Sequence, residues 1–404
     1  MQVLKKRVLL LPSYWPTHKA PVVGAQVHEQ AELLSDEFEF RVLFCLPGMG
    51  WKRFIIYSFV RILTGKRLFQ SCRKELLPGS LDADGIYYFN SRWFSYRKNR
   101  ALERDAYKSL LEKLIGEGWK PDMIHTRTAE FAGANAAHLS KEFGIPMLLT
   151  ENCIFVLTDN LNIDRIKDYQ FAIESADTVA VVSNYVKAQL LTNNFKCNPV
   201  TIGNWIDENK FRYEGKGDNN GFTILNIGHT GFTKDWPTFF RAMKYLMEDL
   251  GCKDLKIILA VTHVFDEESR NFVPRLAAEY GVSGVCDIVY QVPRKEVAAL
   301  YRKASVFVST SINETFGIAT CEAMFCGVPV VATANGGIDD IISPDSGTKV
   351  GIGDFMATAH AIKAIYDGTV SYDPHKIRES VMSKFGTAAF KKRLISVYNK
   401  TMER

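Results

Sequence analysis

Two glutamates, Glu314 and Glu322, are separated by seven residues in the segment SINETFGIATCEAMFCGVPVVATANGG, which covers residues 311–337. An apolar strand pattern ends just before this segment, and a helical pattern begins near Phe316. The first backbone N–H groups of a helix have no partner inside it and attract anions. The residues expected to present such groups are Thr315, Phe316, Gly317 and Ile318. The segment therefore predicts a site for a diphosphate.

The two glutamates add groups that can bind a sugar and a ribose beside that diphosphate. Glu322, two turns into the predicted helix, can accept hydrogen bonds from a ribose diol, and Glu314, in the preceding turn, can face a sugar hydroxyl. By themselves they are better explained as a capping carboxylate and a solvated helix residue. Gly336 and Gly337 favour the binding site, because they permit close backbone approach at the carboxyl end of a buried strand, where ligands bind in open α/β sheets.

Short apolar runs rich in Val and Ile alternate with helical patterns along most of the chain. Seven such runs lie between residues 7 and 202 and six between residues 222 and 352, with a turn-rich break at NWIDENKFRYEGKGDNNGF. This alternation is typical of parallel strands buried on both faces, and it predicts two doubly wound, Rossmann-like α/β domains. We place them at 1–205 and 206–384 and expect a C-terminal helix, 385–404, to complete the first. The two domains are expected to face each other across a central cleft.

The segment 311–337 resembles the E-x7-E region of retaining GT-B glycosyltransferases, specifically glycosyltransferase family 4. Further matches follow in the family's order: ADTVAVVSNYV (176–186), TIGNWIDENKF (201–211) and NIGHTGFTKDW (226–236). The resemblance covers the second domain and the end of the first, and it implies the GT-B fold. It also implies hexosyl transfer, with retention of anomeric configuration, from a nucleotide-diphosphate sugar to a hydroxyl of a glycan or lipid-linked acceptor. Such a reaction fits the synthesis of cell-surface polysaccharides or glycolipids.

The resemblance also implies roles for single residues. Glu314 matches the glutamate that contacts the donor sugar, Glu322 the one that binds the nucleotide ribose, and Lys234 the lysine that contacts the donor diphosphate. Gly228 matches the glycine after the second domain's first strand, and Gly24 matches a glycine whose backbone approaches the phosphates. Catalysis is expected from Glu314 and Lys234, because a lysine charge and helix N–H donors can stabilise the departing diphosphate.

Two positions depart from the family pattern. His229 stands where the family usually has an arginine after the turn glycine, and Asn152 stands where a histidine often lies near the acceptor. A neutral imidazole offers one donor where a guanidinium offers a charged fork. These departures keep open a catalytically weak or inactive GT-B partner or binding subunit, which would bind donor without turnover. A GT-B sugar-nucleotide epimerase is a further alternative, distinguished by its free sugar-nucleotide products.

Candidates for acceptor contact come from the first domain. His125 and Arg127 end a predicted strand and are expected to point into the cleft with Asn152, although a polar strand end explains the first two equally well. His263, after a strand of the second domain, is a weaker ligand candidate. Neither a metal site nor an obligatory cofactor is expected, because no D-x-D pair is placed in a loop where it would bridge a metal to the diphosphate.

The stretch WKRFIIYSFVRILTGKRLFQSCRK, residues 51–74, combines aromatic and aliphatic residues with seven cations and no acidic residue. An interfacial amphipathic segment needs both kinds of residue, because apolar burial and attraction to anionic lipid add. We therefore predict reversible binding to anionic membranes. The alternative is a helix packed on the sheet with its basic residues outward. Nucleic-acid binding is not expected, because no RRM, helix-turn-helix or zinc pattern accompanies the basic residues.

The remaining bulk features favour a cytoplasmic protein, peripheral on the inner face of the plasma membrane. The eight cysteines show no C-x-x-C pair, which is typical of buried thiols in a reducing compartment. The start MQVLKKRVLLLPSYWP has too short an apolar core for a signal peptide. No run approaches the roughly 18 apolar residues of a transmembrane helix.

Overall fold

The computed structural model describes residues 5–18, 24–65, 70–75, 81–153, 162–215, 221–262 and 264–404. These residues fall into two units by their internal packing. The first contains the described residues up to Val182, then 186–202 and 391–404, and the second contains 183–185 and 203–390. Each unit has its own largely parallel sheet accompanied by helices, so the predicted α/β class is confirmed.

Eight strands form the sheet of the first unit. They are β1 (Lys6–Pro12), β2 (Phe38–Pro47), β3 (Gln70–Ser71), β4 (Asp82–Tyr88), β5 (Met123–Arg127), β6 (Met147–Glu151), β7 (Thr178–Val181) and β8 (Val200–Thr201). Their order is β3-β4-β2-β1-β5-β6-β7-β8, and only β3 and β4 pair antiparallel. Val8, Leu9, Leu10 and Leu11 are all buried. Because successive strand side chains point to opposite faces, both faces of this sheet are covered at its centre.

The helices of the first unit mostly follow the carboxyl ends of strands. They are α1 (Ala25–Leu33), α2 (Trp51–Thr64), α3 (Tyr96–Gly116), α4 (Ala134–Phe143), α5 (Ile163–Ser175) and most of α6 (Asn184–Thr192). Ser95 caps α3 by accepting from the N–H of Lys98, and Asn162 caps α5 by accepting from that of Asp164. α2 differs from the other helices, because none of its side chains is buried.

Six parallel strands form the sheet of the second unit. They are β9 (Phe222–His229), β10 (Leu255–Thr262), β11 (Cys286–Tyr290), β12 (Val306–Ser309), β13 (Val330–Thr333) and β14 (Gly347–Val350). Their order is β11-β10-β9-β12-β13-β14. This is the doubly wound order in which strand succession reverses beside the first strand, here between β9 and β12.

The helices of the second unit cover this sheet. They are α7 (Trp236–Glu248), α8 (Glu267–Glu279), α9 (Arg294–Lys303), α10 (Ile318–Phe325), α11 (Phe355–Tyr366), α12 (Pro374–Phe385) and α13 (Thr387–Met402), whose residues from Lys391 belong to the first unit. Trp236, Phe239 and Phe240 of α7 are buried against Ile257 and Leu259 of β10 within one apolar core. Within the described ranges, every helix is too short or too polar to cross a bilayer.

Each of the thirteen apolar runs predicted from the sequence overlaps a strand of the structure. β3 was not predicted. It consists of two residues, Gln70 and Ser71, which pair with Tyr87 and Ile86 at the edge of the sheet. Two residues carry no periodicity, so a pattern-based prediction cannot find such a strand.

Candidate functional site

Two loops of the second unit meet where the strand order reverses. One follows β9 and the other follows β12, and these neighbouring parallel strands end at the same edge of the sheet. The Ile312 N–H donates to the Thr233 carbonyl at 2.9 Å, and the Thr310 hydroxyl donates to the carbonyls of Lys234 and Asp235 at 3.2 and 3.0 Å. In open α/β sheets this position is where ligands bind.

Lys234 and Glu314 form an ion pair at this point. The Lys234 ammonium donates to Glu314 Oε1, and the Ser311 hydroxyl donates to the same oxygen at 3.0 Å. The two charged side chains are 19% and 20% exposed, so both remain open to a ligand from one side. The structure thus brings together the two residues to which the sequence assigned catalysis.

Three glycines hold this pair in place. A Cβ at Gly228 would lie 3.3 Å from Cγ and Cδ of Lys234, so glycine leaves room for the lysine stem. Glu314 forms a parallel bridge with Gly336, whose φ of 90° and close packing on the Tyr185 ring both require glycine. A Cβ at Gly337 would overlap the carbonyl of Glu314. Gly336 and Gly337 therefore act by fixing the backbone of Glu314.

The helix that follows Glu314 begins later than the sequence predicted. α10 starts at Ile318, because Gly317 takes a φ of 91° and cannot continue the helix backward. Phe316 is buried against Phe385 instead, with ring centroids 5.0 Å apart, and the Thr315 carbonyl accepts from the Ser183 hydroxyl at 2.5 Å. The prediction that Thr315 and Phe316 supply helix-start donors is therefore wrong. The N–H groups without a partner inside the helix belong to Gly317, Ile318, Ala319 and Thr320.

Glu322 is more enclosed than the sequence predicted. It is 4% exposed, its Oε2 accepts from the Tyr301 hydroxyl at 3.0 Å, and its Oε1 lies 3.1 Å from Arg294 Nη1. Both partners come from α9, and burial together with the Glu322 charge raises the pKa of Tyr301. The expected open position on the ligand side of α10 is corrected to a buried one, because α9 covers this carboxylate.

His229 is held by the backbone of its own loop. The Gly231 N–H donates to its Nδ1 at 2.9 Å, so this ring nitrogen acts as an acceptor. The His229 carbonyl accepts from Trp236 Nε1 at 2.9 Å, which ties the loop to α7. Nδ1 of His229 therefore serves the loop rather than donating to a ligand.

His125 is an internal residue of the first unit, which corrects the expectation that it points into a cleft. It is 5% exposed, and its two ring nitrogens contact the Tyr398 hydroxyl at 2.8 Å and the Thr150 hydroxyl at 2.9 Å. Burial lowers its pKa to about 3, helped by the charge of Arg127. A neutral ring with both nitrogens engaged fits the alternative of a polar strand end.

Arg127 is likewise buried, and burial lowers its pKa to about 10. Its guanidinium donates to the side chain of Gln30 and, at 3.0 Å, to Oδ1 of Asn152. The expectation that Arg127 points into the cleft is therefore wrong. Asn152 is only partly buried and remains an acceptor candidate, with its carbonyl oxygen turned toward Arg127.

Glu151, which the sequence did not single out, is a fully buried carboxylate beside Asn152. It accepts from the N–H groups of Ala129 and Cys153 at 2.7 Å each, yet burial raises its pKa to about 7. The only sequence feature that could have pointed to Glu151 is its place at the end of the apolar run of β6.

Gly24 precedes α1 with a φ of 77°, and a Cβ there would overlap the carbonyl of Tyr14. Glycine is therefore required where the residue before α1 approaches the backbone of Tyr14. His263 lies outside the described residues. Among the residues that the structure covers, no group of three or more His, Cys, Asp or Glu side chains could hold a metal ion.

Two family descriptions match the chain. "Glycosyltransferase Family 4" matches residues 63–210, and "Glycosyl transferases group 1" matches residues 207–380. An uncharacterised glycosyltransferase from Methanocaldococcus jannaschii is 26% identical over 59% of this chain and 62% of its own. A D-inositol 3-phosphate glycosyltransferase from Thermobispora bispora is 32% identical over 32% of this chain and 31% of its own. The chain thus spans less than two thirds of the length of these relatives.

Solved structures match nearly the whole chain. Sucrose-phosphate synthase from Thermosynechococcus elongatus has a TM-score of 0.75 at 19% identity, covering 98% of this chain and 99% of its own. The Anabaena protein HepE, solved with UDP, has a TM-score of 0.71 at 15% identity, covering 98% and 100%. HepE has also been solved with UDP-glucose, at a TM-score of 0.70. This chain shares the GT-B fold of these structures, and its two family matches make it similar to the glycosyltransferases of family 4.

Proposed function

We propose that this protein transfers a hexosyl group from a nucleotide-diphosphate sugar to a hydroxyl of a glycan or lipid-linked acceptor, with retention of anomeric configuration. The observation that supports this most is the ion pair of Lys234 and Glu314 at the reversal of strand order. The start of α10 follows Glu314 by four residues and adds backbone donors to the same edge of the sheet. The complexes of HepE with UDP and UDP-glucose support a uridine donor.

Each group then has a task that its chemistry allows. The Lys234 ammonium and the first N–H groups of α10 stabilise the charge that develops on the departing diphosphate. Glu314, held by Ser311, contacts the sugar. Glu322 contacts the ribose once Arg294, whose side chain is 33% exposed, gives up its contact with Oε1. The departing phosphate oxygen takes the acceptor proton on the face that the leaving group vacates, so no second carboxylate of the hydrolase kind is needed.

The two glutamates are expected to differ in kinetic effect. Glu322→Gln should weaken donor affinity by about 5- to 10-fold with little change in kcat, because a ribose contact is equal in ground and transition states. Glu314→Gln should mainly lower kcat. Glutamine can still accept from Tyr301 in the first variant but removes the charge opposite Arg294, so circular dichroism accompanies the kinetics as a check of the fold. Donor titration and steady-state kinetics measure both; equal losses of affinity with kcat intact would contradict the division.

His229→Arg is expected to preserve or raise activity. The substitution replaces an imidazole by a guanidinium, a charged fork of donors, at the position where the family usually carries arginine. The Gly231 N–H loses its acceptor, which limits the gain. Steady-state kinetics with the donor measure the effect, and circular dichroism checks the fold. Loss of activity in a folded variant would mean that His229 has a task other than diphosphate contact.

A donor screen tests the proposed reaction. Thermal unfolding with UDP-, GDP-, ADP- and CDP-linked sugars should identify a donor, because a bound ligand raises the melting temperature. Incubation of that donor with candidate acceptors, followed by proton NMR of the anomeric signal, then reports transfer and configuration. Binding without hydrolysis or transfer would favour the inactive subunit, and an epimerised sugar nucleotide would favour the epimerase.

The acceptor is proposed to lie on a membrane that α2 binds. Six large apolar side chains of this helix are each 55–79% exposed: Trp51, Ile55, Ile56, Phe59, Ile62 and Leu63. The opposite face packs through Phe54, which stacks on Phe89 at 4.3 Å, and through Arg61, which pairs with Asp105. The apolar face thus points away from the unit that carries it, contrary to the alternative of a helix packed with its basic residues outward.

The charges around this face suit an anionic lipid surface. Lys52 and Arg53 are exposed on the first turn of α2, and the neighbouring loop presents Trp93, 82% exposed, with Arg92 over its ring. Lys66 and Arg67, part of the predicted segment, lie outside the described residues. Aromatic and aliphatic groups beside cations are the combination that interfacial binding uses. We therefore propose a peripheral protein on the cytoplasmic face of the plasma membrane.

A further inference from the structure

A cavity of about 300 Å³ lies within the first unit, between the N-terminal halves of α3, α4 and α5. α3 packs against α4 and α4 against α5, so three helices form its walls. None of the described residues assigned above to the donor or acceptor lines it. The cavity is therefore separate from the residues assigned to the donor and the acceptor.

The position of the cavity is that of a ligand site. α3 follows β4, α4 follows β5 and α5 follows β6, and these strands belong to one parallel sheet. The first turns of the three helices therefore lie at the carboxyl edge of that sheet, where ligands bind. The start of α3, which has no acidic residue in its first turn, also contributes a partial positive charge, which favours an anion.

Both carboxylates on the cavity wall are already engaged. Asp164 accepts from Arg97 Nε and Nη2 at 3.0 and 2.7 Å. Asp168 accepts from the Tyr96 hydroxyl at 2.9 Å and lies 3.4 Å from Arg100 Nε. These contacts fix the two arginines at the wall.

The cations on the wall outnumber the carboxylates. Arg104 and Lys167 line the cavity together with Arg97 and Arg100, whereas the carboxylates among the lining residues that the structure describes are Asp164 and Asp168. His138 lies beside them, and burial, followed by the charge of Arg104, lowers its pKa, so its ring adds a neutral hydrogen-bonding group at pH 7. An occupant that brings negative charge would compensate this excess of cations.

We propose that this cavity binds a phosphate group carried by the acceptor, whether on a membrane lipid or on a soluble phosphate ester. A phosphate dianion matches the excess of two cations, four against two carboxylates, among the lining residues. Guanidinium groups bind phosphate oxygens in a paired geometry. The volume is at the lower end for ligand sites, enough for a phosphate with part of a sugar. The choice of an acceptor as its carrier rests on the proposed function.

The loop between β4 and α3 contacts α2, the helix proposed to bind the membrane, and leads directly to the cavity. Phe54 of α2 stacks on Phe89 and meets the edge of Phe94 at 6.5 Å. Ser95, the next residue, caps α3, and Tyr96 already lines the cavity. A phosphate at the membrane surface would therefore meet both features on one continuous part of the first unit.

Phosphate binding is tested with inorganic phosphate at pH 8, against chloride at equal ionic strength, by thermal unfolding. The test variant is Arg104→Gln/Lys167→Gln, and the matched control, Lys253→Gln/Lys376→Gln, removes two exposed lysines of the second unit. Each protein also carries Lys234→Ala, so that the donor site contributes little. The phosphate-dependent rise in melting temperature should persist in the control and fall by at least half in the test variant. An equal rise in melting temperature in the test variant and the control overturns the proposal. If the double variant fails to fold, the single variant Lys167→Gln, which changes an exposed side chain, replaces it.

Vesicles then identify the carrier. Phosphatidylcholine vesicles containing phosphatidic acid, a monoester, are compared with vesicles of matched surface charge containing phosphatidylglycerol, a diester. A preference for phosphatidic acid that Arg104→Gln/Lys167→Gln removes indicates a lipid-borne phosphate. A response to inorganic phosphate without that preference indicates a soluble ester. Neither the phosphate titration nor the vesicle experiment uses a sugar donor or measures turnover. A negative result in them therefore does not contradict the proposed sugar transfer, and phosphate binding can still be measured if no transfer is found.

Discussion

Replacing Lys234 with alanine is expected to lower kcat/KM by about 30- to 150-fold, which corresponds to roughly 2–3 kcal/mol of transition-state stabilisation. Lys234 is the only cation that the described structure pairs with Glu314, and its stem is seated on Gly228. Its charge is therefore already positioned before the donor binds, which is the condition under which a single donor has a large effect. Most of the loss should appear in kcat, because charge on the leaving diphosphate grows toward the transition state.

The matched control for this variant is Lys244→Ala. Lys244 lies on α7 of the same unit and pairs with Glu248 at 3.8 Å, but it is exposed on the helix surface. Its removal should leave kcat and KM unchanged within error. If Lys234→Ala keeps kcat/KM within about threefold of the original while donor binding persists, diphosphate stabilisation must come from other groups.

The fold was predictable because its signals are local. A strand buried on both faces favours apolar residues at successive positions, and β1 and β10 carry such runs at 8–11 and 257–261. Helices between parallel strands leave a second pattern of different period. The two-residue β3 has neither signal, and the start of α10 was misplaced by two residues because the effect of Gly317 depends on its φ angle. The α/β class therefore followed from short stretches, whereas these two details did not.

The site was predictable only for residues that follow neighbouring strands of the sheet. Lys234 and Glu314 lie 80 residues apart, yet each follows a strand beside the reversal of order, so their meeting follows from the doubly wound arrangement. The burial of His125 could not be read in this way, because it depends on Tyr398, 273 residues away on α13. The enclosure of Glu322 likewise depends on α9. Packing between distant elements carries no signature in the local sequence.

Replacing Ile55, Phe59 and Ile62 by serine is expected to abolish binding to anionic vesicles. These side chains lie on the exposed face of α2, so the change removes apolar area without opening a core. Full burial of one such side chain is worth about 1.5–3 kcal/mol. Three side chains partly immersed at the interface should together contribute roughly 3–4 kcal/mol, about 100- to 1000-fold in partition. Sedimentation with phosphatidylcholine–phosphatidylglycerol vesicles measures the loss.

Charge and apolar area should contribute separately to this binding. Lys52→Gln/Arg53→Gln should weaken it by roughly 1 kcal/mol per cation at low salt, and raised salt should weaken the unmodified protein toward the same level. Met356→Ser/Val370→Ser/Met382→Ser removes three exposed apolar side chains of the second unit and should change nothing. Binding that survives the α2 serine variant, or that salt cannot weaken, would remove α2 as the membrane contact. Unchanged sugar transfer to a soluble acceptor in that variant would confirm that the donor site remains intact, because α2 and the Lys234–Glu314 pair belong to different units.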